Sequence, residues 1–419
     1  MIPAQASCTD IFESGLLPAE QALSQILSAL PHIDDYEIIP IEKAKARTLA
    51  QTVIASFNVP RLNNAAVDGY GLNANDLPSM GTASLNVIGS AYAGTPYSKK
   101  VSARQCVRIM TGAIIPEGVD TVIMQEHVEL KNNTVFIDDR HKAGQNIRLA
   151  GEDLRQGEAI LQTGKFLTPA DIGLIASLGI AEIKVKRKLK IAIASTGNEV
   201  ISIGDTPSKS SLYDSNRYSL YAALDRPDIE IINMGILQDN PKTLLNSFNQ
   251  ASQSADIIIS SGGVSVGDAD HTKTALKQSG QVDFWKIAIK PGRPLAFGHI
   301  NNSVFFGLPG NPVAVMVSFY QFVLPAIEAM LAIKEKAIAP TLQVESIENI
   351  RKKKGRTEIV RGILQQDGKG HWTVKSTGKQ GSGILRSMSL ANAFIILEHD
   401  RGTVKIGESV TVQPFSGLI

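Results

Sequence analysis

The chain has 419 residues, too many for one hydrophobic core, so length alone predicts two to four domains. Hydrophobic residues at 43% and charged residues at 20% are the proportions of a soluble globular chain, while a net charge of +2 and only 5% aromatics exclude a nucleic-acid groove or a base-stacking platform as the organising feature. Cys8 and Cys106 lie far apart without metal-ligand spacing, which fits a reducing compartment and excludes a disulfide framework.

The first residues include Asp10 and Glu13 and lack a basic segment followed by an apolar block, so no signal peptide is expected and the location predicted is cytoplasmic. Residues 18–30 place Leu23, Ile26, Leu27 and Leu30 at helical spacing with Pro18 near the start. A second helical piece is expected at residues 41–50, after an extended segment at 36–39. From residue 53 to about 160, short β-type runs at 85–88, 106–110, 121–124 and 134–137 alternate with Gly, Asn and Pro turns and predict a small all-β unit. Three polar loops edge it, carrying Asp68-Gly69, Thr111-Gly112 and Glu152-Asp153. Singly each reads as a tight turn, a strand end or a solvated loop; together they predict loops presented to a partner surface.

Thr168 and Pro169 then supply an N-cap and first-turn proline for a helix with Leu174, Ile175 and Leu178 in a stripe, ended by Gly179. Residues 182–190 are basic and extended and read as a solvated connector. Beyond them, apolar strands at 189–194, 229–232, 255–259 and 304–306 alternate with helical segments at 219–224, 243–252, 272–278 and 313–331, the pattern of a doubly wound, mostly parallel α/β sheet. The apolar run at 313–333 is interrupted by Gln321, Pro325 and Glu328 and is expected to be a buried helix rather than a membrane span.

Ligands of such sheets bind beyond the carboxyl ends of the strands, and polar residues collect at those positions here. They are Ser195-Thr-Gly-Asn-Glu199, Gln238-Asp239, the loop from Ser260 to Asp270, and Gly307-Leu-Pro-Gly-Asn-Pro312. In the third, Gly262 and Gly263 allow close backbone approach, amides beside Ser265 can hold an anionic oxygen, and Asp268 and Asp270 can hold a divalent cation. In the fourth, Asn311 is a candidate cap and Pro312 a helix start whose amides would face an anion. Lys286, Lys290 and Arg293 cluster in Trp285-Lys-Ile-Ala-Ile-Lys-Pro-Gly-Arg-Pro294 and are best matched to phosphate. Neither a P-loop nor a dinucleotide fingerprint is present. Gly263-Val-Ser-Val-Gly267 matches a nucleophile elbow, but an elbow starts its helix at the serine, and Gly267-Asp-Ala-Asp270 intervenes before the helix expected here. After residue 331 the texture returns to β, with a basic hairpin tip at 350–361 read as solvated or as an aid to anion steering, and further segments at 378–383, 391–397 and 404–412 that complete a small sheet or barrel.

These motifs, in this order from Pro18 to the C-terminus, resemble the MoeA-type molybdopterin molybdenumtransferases and the related gephyrin and plant Cnx E-domains. The resemblance rests on Val67-Asp-Gly-Tyr70, Arg108-Ile-Met-Thr-Gly-Ala113, Gly151-Glu-Asp153, Ser195 to Glu199, Ser261-Gly-Gly-Val-Ser-Val-Gly-Asp268, Lys290-Pro-Gly-Arg-Pro294 and Gly307 to Pro312. It implies four domains: residues 1–53 with 146–181, an inserted β domain at 54–145, a molybdopterin-binding α/β domain at 182–333, and a β-barrel-like domain at 334–419. It also implies an enzyme that takes adenylylated molybdopterin and molybdate and cleaves the adenylate with Mg2+ to give molybdenum cofactor and AMP. By motif, Asp68, Thr111, Asp153, Glu199, Asp239 and Asp270 are the expected catalytic residues, with Glu199, Asp239 and Asp270 the metal set. Gly262, Gly263, Ser265, Lys286, Lys290, Arg293, Pro309, Gly310, Asn311 and Pro312 are the expected substrate contacts. A homodimer is implied, its cleft shared by two subunits, along with an adenylyltransferase and cofactor-accepting enzymes as protein partners; neither nucleic acid nor membrane is implied. The chain departs from the family pattern at Ala65-Ala66-Val67, where Ser-Ala-Met is usual, and at Arg293, where lysine is common. Both changes bear on turnover and on the choice between molybdate and tungstate. Two other functions share the fold, a molybdopterin adenylyltransferase and a non-catalytic scaffold. The additional β domains argue against the first and the retained carboxylates against the second.

Overall fold

The computed structural model describes residues 16–262, 280–334 and 341–415. Its central sheet has six strands, ordered Ile229–Leu237, Leu189–Thr196, Ile257–Ser261, Ser303–Leu308, Pro294–Ile300 and Gly280–Lys286. The first four run parallel, in register Ile191 to Ile257 and Ile257 to Val304; Pro294–Ile300 is antiparallel to both its neighbours. Parallel strands covered on both faces read as apolar runs, as Ile257–Ile259 and Ser303–Leu308 do, while the edge strand Ile229–Leu237, with Glu230 and Asn233, is only partly covered.

Alternation sorts their side chains into two cores. Leu189, Ile191 and Ile193 point to one face with Ile257, Ile259, Val304 and Phe306, under the helices Asn216–Leu224 and Pro312–Ser318. Ala192 and Ala194 point to the other with Ile258 and Phe305, under Leu244 and Phe248 of the helix Pro241–Ala251. That helix is capped by Asn240, whose side chain accepts from the amides of Lys242 and Thr243. The long apolar segment beginning at Pro312 continues through a π-helical turn, Phe319–Val323, into Leu324–Met330. It has the length and apolarity of a membrane span, yet most of it is buried in the first core, as expected of a core helix.

Several expectations are corrected. Residues 41–50 form a 3-10 turn, Ile41–Lys43, followed by isolated bridges, rather than a helix. The charged stretch after residue 182 is no solvated connector: Glu182–Lys186 is a strand paired antiparallel with Tyr36–Pro40, and Ile183 and Val185 are buried. It belongs to a small core with Leu49, Leu161 and Ile175, built around the helix Pro169–Ser177. That helix begins in a capping box between Thr168 and Asp171. The helix Ala19–Ser28 buries Ala22 and Ile26 in the first core of the central sheet. The helix expected at 272–278 lies outside the described residues.

The β-rich unit is a six-stranded sheet that contains all four predicted runs, in the order Thr121–Met124, Gly69–Leu72, Gln105–Ile109, Thr82–Ala91, Thr134–Asp138 and Glu129–Lys131. At the C-terminal end, Thr357–Gln366, Trp372–Ser376, Leu342–Ser346, Ser409–Pro414 and Ala393–Leu397 close on themselves as a barrel, because Ala393–Leu397 pairs back onto Thr357–Gln366. Residues 350–356 lead into that barrel as a loop, and their basic character is not uniformly solvated. Lys352 is buried, its Nζ donating to the carbonyls of Lys353, His399 and Arg401 at 3.2, 3.3 and 2.7 Å.

Candidate active site

The carboxyl ends of the parallel strands open into a cleft of about 1000 Å³ whose opposite wall is the barrel. Ser195 and Thr196 end the strand Leu189–Thr196 and Glu199 follows it, Asp239 follows Ile229–Leu237, Ser261 ends Ile257–Ser261 with Gly262 after it, Pro309 to Pro312 follow Ser303–Leu308, and all line the cleft. The barrel contributes Arg356 and the Gln380-Gly-Ser-Gly383 loop. Between the two walls runs the loop Ile289 to Pro294, with Lys290 and Arg293 facing the cleft.

Close backbone approach holds these loops. Gly262 has φ +90°, and a Cβ there would lie 2.4 Å from the Thr196 carbonyl oxygen, so only glycine fits where the first and third strand ends converge. Asn216 ties the third loop to the fourth, its Nδ2 donating to Ser261 Oγ at 2.8 Å and to the Gly310 carbonyl at 2.7 Å. Beneath it, buried Asp214 accepts from Ser195 Oγ at 2.8 Å and pairs with Arg217 Nε at 2.8 Å.

The helix start behaves differently from the sequence expectation. Pro312 occupies the first helical position, but the Asn311 side chain makes no capping bond. The Val313 amide is taken by the Ser382 carbonyl at 3.0 Å and the Val315 amide closes on the Asn311 carbonyl at 3.0 Å. The first turn thus serves chiefly to fasten the cleft floor to the barrel loop.

Lys290 sits where the sheet domain and the barrel share a ladder. Ile289–Lys290 pairs in parallel with Thr357 and Glu358, and Lys290 Nζ lies 3.5 Å from Glu358 Oε2. Glu358 is buried, so the pair draws Lys290 toward the barrel. Lys286 ends the strand Gly280–Lys286, with its carbonyl accepting the Leu17 amide at 2.9 Å, and is not among the residues lining the cleft.

Three described carboxylates line this space, of which Asp214 is buried and already engaged by Ser195 and Arg217. Glu199 is exposed at the mouth, and the half-buried Asp239 turns in a buried Oδ1 that has no hydrogen-bond partner. No group of three or more His, Cys, Asp or Glu residues able to hold a metal occurs among the described residues. Asp270, the third member of the expected metal set, lies outside them, as do Gly263, Ser265 and Asp268.

Asp68, Thr111 and Asp153 do not line this cleft. Asp68 Oδ1 accepts from the Thr111 amide at 2.8 Å and from Thr111 Oγ1 at 2.6 Å, at the end of the β-rich sheet where Gly69–Leu72 begins and Gln105–Ile109 ends. The Thr111 hydroxyl, then its amide, hold the Asp68 carboxyl below the ordinary aspartate value. The departure at Ala65 is accounted for locally: its side chain is fully buried with Ala91 and Ile109, while Thr111 supplies Asp68 with its hydroxyl. Asp153 lines a second cavity of about 440 Å³ with Arg148, Glu152 and Asn64.

Sequence reasoning passed over Asp214, Asn216 and Ser382, and took Arg356 only with the basic segment 350–361 as solvated or an aid to anion steering. The Asp214-Ser-Asn216 triplet directly before a helix was a visible signal, because such residues favour helix starts and turns. Ser382 gave none, and the basic run did not single out Arg356, since only closure of the barrel brings the two to the sheet.

Three matches cover most of the molecule. Residues 17–179 match the MoeA N-terminal region (domain I and II), residues 192–329 a probable molybdopterin binding domain, and residues 343–415 the MoeA C-terminal region (domain IV). The chain is 42% identical over 405 residues to the molybdopterin molybdenumtransferase of Haemophilus influenzae, covering 96% of this chain and 100% of that one. It is 32% identical to the molybdopterin molybdenumtransferase of a Nostoc species, over 92% of this chain and 91% of that one. The crystal structure of a molybdopterin biosynthesis moeA protein from Pyrococcus horikoshii superimposes with a TM-score of 0.83 at 28% identity, over 96% of this chain and 100% of the other.

Proposed function

The chain belongs to the MoeA family of molybdopterin molybdenumtransferases, enzymes of molybdenum cofactor biosynthesis, and from that premise we propose that it inserts molybdate into adenylylated molybdopterin as the adenylate is cleaved to AMP. The observation that supports this reading is the composition of the strand-end cleft, where Lys290, Arg293 and glycine backbone at Gly262 and Gly310 share one space with Glu199 and Asp239. Such a site suits a substrate that is itself a phosphoanhydride, with Lys290 and Arg293 for its negative oxygens and the carboxylates for a cation that accompanies them.

Mg2+ commonly takes one or two carboxylates and completes its shell with water and substrate phosphate. The inward Oδ1 of Asp239, buried without a hydrogen-bond partner, fits that donor set, with Glu199 beside the same cleft and Asp270 expected to join them. When bound, Mg2+ would supply charge neutralisation at the phosphoanhydride. Lys290 and Arg293 bind the anionic oxygens, and the backbone at Gly262 and Gly310 admits the phosphate close to the strand ends. An oxygen nucleophile, from water or molybdate, attacks the pterin-side phosphorus, the anhydride P–O bond to the adenylate breaks, and AMP departs with that electron pair, a water nucleophile giving its proton to solvent. Asp68, Thr111 and Asp153, remote from this cleft in their own chain, are proposed to complete the cleft of a second subunit in a homodimer. The protein is proposed to work in the cytoplasm, in exchange with the adenylyltransferase that supplies its substrate and the enzymes that receive the cofactor.

The test is AMP release by the purified chain given adenylylated molybdopterin, molybdate and Mg2+. Stoichiometric AMP with cofactor formation is expected, and Asp239→Asn should slow it about a hundredfold or more. Absence of AMP from the unaltered protein would overturn the reading, and near-normal release by the variant would remove Asp239 from it.

A further inference from the structure

The strand-end cleft has one flank that anion binding does not use. After the strand Leu189–Thr196, Val200–Ile201 pairs in parallel with Leu212–Tyr213, and Val200, Leu212 and Tyr213 line the cleft. Tyr213 is the one aromatic among the described residues that line it. Leu212 is 65% exposed and Tyr213 48%. The pair is built to stay open. The Leu212 amide donates to the Glu199 carbonyl at 2.8 Å and the Asp214 amide to the Ile201 carbonyl at 3.0 Å, which fixes the backbone on either side of the ring. The Tyr213 hydroxyl donates to the Asp205 carbonyl at 3.0 Å, and the Asp205 carboxylate accepts the Ser202 amide at 3.0 Å.

A phenol ring tethered through both its backbone and its far oxygen presents a flat face that does not fold inward. Apolar surface held open at a cleft marks a ligand site, and a rigid aromatic is the side chain on which flat heterocycles stack, with no demand on charge. The chain also sets this ring among the elements that serve the phosphate. Glu199 comes immediately before the paired segment, and Asn216, which ties Ser261 to Gly310, shortly after it. Adenylylated molybdopterin carries a flat nitrogen heterocycle on each side of its phosphoanhydride, so a phosphoanhydride seated at Gly262 and Gly310 brings heterocycles to the walls of the same cleft.

We propose that Tyr213, with Leu212 beside it, is a stacking shelf for a flat nitrogen heterocycle of the substrate. This rests on the functional reading above and extends it to the part of the substrate that carries no charge. The shared chemistry is a planar ring meeting a planar ring, and either the adenine of the adenylate or the pterin presents it.

Calorimetric titration of the full chain with AMP, ribose 5-phosphate and pterin, each alone, separates the ring from the phosphate and one heterocycle from the other. In Tyr213→Ala, loss of the stacked ring should weaken AMP or pterin by about tenfold, with ribose 5-phosphate unchanged. Tyr213→Phe, which keeps the ring and gives up the bond to Asp205, should retain most of the affinity. Weakening of AMP assigns the shelf to adenine, and weakening of pterin assigns it to the pterin. Three results overturn the shelf and leave the functional reading standing: unchanged affinity for whichever of AMP and pterin the unaltered protein binds, ribose 5-phosphate weakened as much as AMP, or Tyr213→Phe losing as much as Tyr213→Ala. A changed oligomeric state of Tyr213→Ala in light scattering also overturns it, as the mark of a subunit contact. Failure of the unaltered protein to bind either AMP or pterin defeats both the shelf and the functional reading.

Discussion

The cleft and the Asp68 edge are both polar, but they are held in opposite ways. In the cleft, residues distant in sequence are locked by backbone: Gly262 against Thr196, the Val313 amide on Ser382, Lys290 on the barrel ladder. At one end of the β-rich sheet, Asp68 is half-buried and its side chain takes both its bonds from one residue, Thr111. A site whose geometry comes from long-range backbone contacts is rigid and intolerant of volume. One made by a single side-chain pair is adjustable and depends on what later meets it.

Substitutions should expose this difference in order of severity. Gly262→Ala forces a methyl group to within 2.4 Å of a carbonyl oxygen in a left-handed conformation. It should cost about 2 to 4 kcal/mol in urea unfolding and distort the cleft. An effect within error would show that the strand ends are not locked. Asn216→Ala removes both donated bonds between the third and fourth loops and should cost about 1 to 3 kcal/mol, with substrate KM rising more than kcat falls. Equal stability and kinetics would mean that the loops hold their spacing without it.

Thr111→Val should do least to stability. It removes the larger of the two bonds acting on Asp68, so the Asp68 carboxyl should titrate closer to the ordinary aspartate value by NMR, with the backbone bond keeping it somewhat low. The sign follows from a depressed folded value: any stabilisation is present above the ordinary aspartate range and is lost as pH falls through the lowered one. A titration identical to that of the unaltered protein would show that the hydroxyl does not act on Asp68. Cys106 offers a control at the buried extreme, since burial pushes its thiol up to about 12. In a Cys8→Ser variant it should resist alkylation at neutral pH until denaturant is added.

The sequence made the parallel strands legible because burial on both faces leaves runs such as Ile257–Ser261 almost without polar interruption. It left Gly280–Lys286 and Pro294–Ile300 hidden, because Asp283, Lys286 and His299 break the apolar pattern and suggested a loop of cations. The strand Glu182–Lys186 was misread through its charges, although Ile183 and Val185 alternate with them at the period of a half-buried strand. Strand-end residues Glu199, Asp239 and Gly262 were readable from topology, since a parallel sheet delivers its carboxyl ends to one place. Arg356 and Ser382 were not, because their position depends on a closure between segments far apart in the chain.

The two-residue strand Ile289–Lys290 joins the sheet domain to Thr357–Gln366 of the barrel by main-chain pairing. Its consequence is mechanical. The barrel cannot swing relative to the sheet without carrying Lys290 along, so the width of the cleft and the placement of its charge are one variable.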